Sequence, residues 1–202
     1  MSVRHISTLL FAASALGLAS CNKEQPAADN KADNAVGNDA DGASTAKPHM
    51  APLVEVIDIN GTGVGRIETS EGAKGVTLKL TLFRLPAGVH GVHLHEVGTC
   101  DTNGFFKSAG AHWNPMGRKH GRDNPQGAHL GDLANVEIKG GGDTATTIEL
   151  PGISYSGGEH PLADADGTSL VIHAKRDDYK TDPSGDSGDR IACAVLAPPA
   201  KS

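Results

Sequence analysis

From Val76 to Leu82 apolar and polar residues alternate without a break, with Thr77, Lys79 and Thr81 separating Val76, Leu78, Leu80 and Leu82. A period of two sets the four aliphatic side chains on one face of a strand. Asn135–Lys139 and Thr144–Leu150 flank Gly140-Gly141-Gly142-Asp143, the pattern of a hairpin. Leu53–Ile59 and Ser169–Ala174 are apolar and β-branched and predict two further strands. No long segment has helical period. Short strands punctuated by Gly, Pro and Asp predict an all-β domain, an antiparallel sandwich or barrel. Two stretches break the pattern, Val97 to His129 and Lys175 to Arg190, both rich in Gly, Asp and charge. Loops of that length inside a compact domain carry function or are disordered.

The first residues follow another pattern. Arg4 precedes Ile6 to Leu18, an apolar run too short to span a bilayer and suited to an export signal. It ends in Leu18-Ala19-Ser20-Cys21, which resembles the lipobox of bacterial lipoproteins, where the cysteine is acylated and becomes the new N-terminus. With Asn22 rather than Asp next, the resemblance implies the outer membrane. The expected organisation is a leader over 1–20, a lipidated tether over 21–48 and a folded domain over 49–202, exported to the periplasm. The tether has one aliphatic β-branched residue, Val36, and cannot bury enough apolar surface to offset its ordering entropy. With lipid on Cys21, the two remaining cysteines, Cys100 and Cys193, pair most simply as a disulfide in an oxidising space. The net charge of −6, or −7 once Arg4 is lost, gives no basic excess for nucleic acid. Phosphate-binding glycine loops are absent.

Ten histidines change the picture. His93 and His95 flank Leu94, so in a strand both face one side, where they can share a metal; copper(II) favours such nitrogen ligands. His112, His120, His129 and Asp132 supply the donors of a tetrahedral zinc shell within one loop. His173 ends the strand Leu170-Val171-Ile172-His173. His90, three before His93, faces the other way in a regular strand and reads as a structural histidine bonded to backbone. His160 reads as a loop residue.

Gly88-Val89-His90-Gly91-Val92-His93-Leu94-His95-Glu96 and Gly188-Asp189-Arg190-Ile191-Ala192-Cys193 resemble the two signatures of the copper/zinc superoxide dismutases. The steps from His112 to His120, His129 and Asp132 match that family's zinc loop. The stretch from Asp178 to Gly185 is similar to its bacterial branch. The likeness runs from about Leu53 to Leu196. It implies an immunoglobulin-like Greek-key β-sandwich or barrel with two long functional loops. It implies copper on His93, His95, His112 and His173, and zinc on His112, His120, His129 and Asp132, with His112 bridging as an imidazolate. Asp177 is then the carboxylate linking a copper histidine to a zinc histidine, and Arg190 stands beside the open copper position. The implied reaction converts superoxide to dioxygen and hydrogen peroxide. Ala111, Trp113 and Ala194 depart from the family's common residues, and Asp189 sets a negative charge beside Arg190. The oligomeric state is not legible; a homodimer is one expected form.

Three other readings compete. A copper- and zinc-sequestering lipoprotein on the same fold needs no Arg190. A zinc hydrolase needs an open zinc position, which four protein ligands leave no room for. A structural domain without metals would have no use for a complete ligand set.

Overall fold

The computed structural model describes residues 49–201; the expected leader, the expected lipid site Cys21 and the tether lie outside them. The strands are β1 (His49–Met50), β2 (Val54–Asp58), β3 (Gly63–Gly72), β4 (Gly75–Leu82), β5 (Gly88–His90), β6 (Val92–His95), β7 (Val136–Ile138), β8 (Thr144–Pro151), β9 (Thr168–His173) and β10 (Arg190–Ala197). Among the described residues there is no α-helix, only short 3-10 turns at Thr102–Gly104 and Lys107–Ala109. The main sheet runs β6-β9-β10-β2-β3-β4-β8, with β1 also on β3, and β5 pairs β7. Every ladder is antiparallel. β10, the last strand, returns beside β2, the first of the β2-β3-β4 meander, as in a Greek key.

The alternation over Val76–Leu82 holds: Val76, Leu78, Leu80 and Leu82 are all buried in the main core. Two expectations change. The segments flanking Gly140–Asp143 do not pair with each other: β7 pairs β5, and β8 pairs β4. The glycine run turns a corner between sheets, closed by the Lys139 N–H donating to the Thr144 hydroxyl at 2.9 Å. β3 was not predicted, because Gly63, Gly65, Thr69 and Ser70 dilute its apolar signal while Val64 and Ile67 fill the core.

Alternation along β6, β9 and β10 decides where the chemistry sits. Val92, Leu94, Leu170, Ile172, Ala192 and Ala194 point into the main core. Their neighbours point the other way, and directly paired residues share a face, as His93 does with Val171 and Cys193 with Val171. On that outer face Val171 and Cys193 form a second, smaller core with Phe106 and Ala109 of the first long loop. The two long loops cover this face, which is why all of β9 is buried. Cys100 and Cys193 are joined as expected, with Cα atoms 5.8 Å apart, and the bridge ties that loop to β10. Its residues are 93 apart in sequence, a closure that contributes about 4–5 kcal/mol in the chain-entropy picture.

Candidate metal centre

β6 is the spine of the site. One edge pairs with β9. The other edge is completed by the first long loop and the residues that follow it, which dock twice as extended chain. The Trp113 N–H donates to the Leu94 carbonyl at 2.8 Å, and the Leu94 N–H to the Gly131 carbonyl at 2.9 Å. These contacts set His112 opposite His95 and Asp132 opposite His93. Each docked stretch is anchored by the next residue, since Trp113 and Leu133 sink into the main core. Apolar-in and donor-out is the same period of two that governs the strands.

The expected ligands fall into two groups that share a member, and His93, His120 and Asp177 make a third cluster that links them. In the first, His93, His95, His112 and His173 are all buried, with potential ligand atoms within 4.8 Å of one another. Their outward nitrogens have fixed partners. The His95 Nδ1–H donates to the Gly110 carbonyl at 3.0 Å, and the His173 Nδ1–H to the Gly188 carbonyl at 3.2 Å. The His93 Nε2–H donates to Asp177 Oδ2 at 2.7 Å. Such partners choose the tautomer. The other nitrogens, His93 Nδ1, His95 Nε2, His112 Nε2 and His173 Nε2, are buried without a hydrogen-bond partner. Burial lowers the basicity of these rings: His112 falls to about 4 despite Asp132, and His173 to about 3, also pressed by His93; His95 is lowered as well.

In the second group His112, His120 and His129 aim Nδ1 at one oxygen, Asp132 Oδ1, at 2.9, 3.0 and 3.1 Å. The other oxygen, Oδ2, accepts the Gly121 and His129 N–H groups at 2.8 and 3.0 Å. Burial by itself would raise the Asp132 pKa, but the bonds from His112, His120 and Gly121 prevail and hold it well below the usual carboxylate range. Burial would lower His120, yet Asp132 and Asp177 outweigh it and raise His120 to about 9.

Asp177 is fully buried and joins the groups, accepting from His93 on Oδ2 and from His120 Nε2 on Oδ1 at 3.0 Å. Gly185, at φ +68°, lies against it; a Cβ there would collide with the Asp177 carboxylate and stand 2.7 Å from His120 Nε2. Arg190 is half-buried and donates to the carbonyls of Phe106 and Gly110, each at 2.7 Å. The Gly110 oxygen thus holds Arg190 and His95 together. Arg190 opens on a depression of about 570 Å³ that it lines with Ile59, Phe105, Lys107, Gly188, Asp189 and Ile191.

The family model of the copper/zinc superoxide dismutases matches residues 61–196. The chain belongs to this family. It is 41% identical over 144 residues to superoxide dismutase (Cu-Zn) 2 of Aquifex aeolicus, covering 70% of this chain and 84% of that one. It is 34% identical over 195 residues to the superoxide dismutase-like protein YojM of Bacillus subtilis, covering 95% of this chain and 96% of that one. The crystal structure of a SOD-like protein from Bacillus subtilis aligns with a TM-score of 0.68 at 35% identity, over 73% of this chain and 99% of that one.

Copper and zinc are the cofactors of the copper/zinc superoxide dismutase family, and the donor sets fit both. Four orphaned imidazole nitrogens facing one space suit a copper ion. Nitrogens about 3 Å from one carboxylate oxygen are close to the edge, about 3.3 Å, of a tetrahedron with zinc bonds of about 2.0 Å. Every expected ligand position is therefore brought to one of the two groups. His90 is bonded to backbone as expected, at the carbonyls of His173 and Pro86. His160 packs its ring edge-on to Trp113, outside both groups. Sequence reasoning missed Lys107, Asn135 and Tyr179. Lys107 sits in a loop with no periodic signal, and Asn135 meets Asp177 and Tyr179 only through bonds spanning 42 and 44 residues.

Proposed function

We propose that the protein is a copper/zinc superoxide dismutase of the bacterial envelope. The observation that carries the reading is His112: its Nδ1 belongs to the His/Asp group, and its Nε2 lies orphaned in the four-histidine group. His93, His95, His112 and His173 hold copper, and His112, His120, His129 and Asp132 hold zinc. Bound copper supplies the one-electron oxidation and reduction of superoxide, and zinc a fixed positive charge. Arg190 draws the anion to the open side of the four histidines, its guanidinium held by two carbonyls. His112 Nε2 takes up a proton and releases it to the reduced oxygen. Two superoxide ions and two protons thus give one dioxygen and one hydrogen peroxide. Asp177 holds His93 and His120 in register. The leader and lipobox-like ending support export, acylation at Cys21, and residence at the outer membrane facing the periplasm on the 21–48 tether.

The test is dismutation by the purified full chain loaded with copper and zinc. Fast, cyanide-sensitive turnover is expected, falling about 100-fold or more in His112→Ala. Binding of both metals without turnover would overturn the enzyme and leave metal sequestration on this fold, a reading kept open by the similarity to the SOD-like protein YojM.

A further inference from the structure

We propose that Asn135 and Tyr179 are positioning residues that set the Asp177 carboxylate and, through it, the grip on zinc. The inference rests on the zinc assignment above. Asn135 is the residue between the His/Asp loop and β7, three after Asp132. Its side chain brackets the backbone of Asp177: Oδ1 accepts the Asp177 N–H at 2.7 Å, and Nδ2 donates to the Asp177 carbonyl at 2.9 Å. This pairing mimics two rungs of a sheet and fixes the direction in which the Asp177 side chain leaves the backbone. Its own N–H donates to the Tyr179 hydroxyl at 2.8 Å. Tyr179 closes the circuit, because its N–H donates to Asp177 Oδ1 at 2.6 Å, the same oxygen that accepts from His120.

Tyr179 is itself pinned from the zinc side. The Arg122 guanidinium stacks on its ring at 3.8 Å, and its carbonyl accepts the Asp123 N–H at 3.1 Å. The clasp therefore joins the loop carrying His120, the segment carrying Asp132 and the loop carrying Asp177. A carboxylate bridging two imidazoles tolerates little rotation, since both bonds run through one rigid plane. Loss of the clasp leaves the six metal-binding histidines untouched and frees the carboxylate that orients two of them.

A mere crosslink between loops would also stabilise the fold, so the test must read zinc and must depend on Asp177. The full chain is stripped of metal and titrated with zinc against a chromogenic chelator, alone and in the Asp177→Ala background. Asn135→Ala is expected to weaken zinc binding about 10-fold. In the Asp177→Ala background it is expected to add nothing. Tyr179→Phe, which deletes one hydroxyl, is expected to weaken zinc a few-fold with the same dependence, and it carries the test where Asn135→Ala does not fold. Unchanged zinc affinity in the folded variants, or losses that persist in full without Asp177, would overturn the proposal. A wild-type chain that binds no zinc would instead overturn the zinc assignment.

Discussion

His120 and His112 sit on the same carboxylate and end in opposite protonation states. Both are desolvated, but His120 has a second anion on its far nitrogen, Asp177, whereas the far nitrogen of His112 has no partner. The first is raised to about 9 and the second lowered to about 4. The metal-free protein at neutral pH therefore holds a proton on His120. The folded value lies above the ordinary 6.5, so this proton contributes stability that is complete below that pH and is lost as pH rises through 9. Zinc must displace it, because a ligating nitrogen needs its lone pair. Zinc binding at pH 7 is expected to release about one proton from His120, and the release should vanish above pH 9. Copper added afterwards should release a second, from His112, as its remaining nitrogen is taken up. Calorimetry in buffers of different ionisation enthalpy measures both. No proton release with zinc at pH 7 would show that His120 is already neutral.

At the level of elements, β6, the end of β9 and a loop that docks on β6 in two places build the centre. The His93-Leu94-His95 alternation was legible because a strand's period survives in any sequence that buries one face. The His/Asp spacing was legible only as a list of donors; its geometry comes from Trp113 and Leu133, each buried beside a donor in a stretch without regular period. β3 and the clasp at Asn135 were not legible. A strand diluted by glycine resembles a loop, and a side-chain bond across 42 residues has no local signature. Docking of 129–133 on β6 requires Gly131 for the close approach. A Cβ there would lie 2.5 Å from the Leu94 carbonyl oxygen and 3.1 Å from the Trp113 nitrogen. Gly131→Ala is therefore expected to cost about 1–3 kcal/mol in urea unfolding of the metal-free chain and to weaken zinc binding as well. Gly142→Ala, where a Cβ meets nothing within 4 Å, should change neither. Equal behaviour of the two variants would show that the docked stretch yields without cost.

For the whole molecule, the proposed dismutase activity raises the question of how an anion reaches a protein of net charge −6. The long-range field opposes it, so attraction must be local, from the depression that Arg190 lines. Arg190 and Lys107 both line it, Arg190 half-buried and Lys107 exposed. Lys107 follows Phe106, whose buried ring packs in the small core beside the disulfide and whose carbonyl holds Arg190. The disulfide, the buried ring and both cations thus form one unit. The loop cations Arg118, Lys119, Arg122, Lys175, Arg176 and Lys180 do not line this depression, and Lys119 is paired with Asp182 at 2.9 Å. Net charge and local field can be separated, because Lys79 on β4 is exposed and does not line the depression. Lys107→Glu and Lys79→Glu change the net charge equally. Lys107→Glu is expected to lower kcat/KM about 3- to 10-fold at low ionic strength and to flatten its salt dependence, with metal content unchanged. Lys79→Glu should stay within about two-fold. Equal losses in both would mean that the molecule's total charge governs capture. No loss in either would leave Arg190 alone to guide the substrate, and Arg190→Ala would then have to abolish the salt dependence by itself.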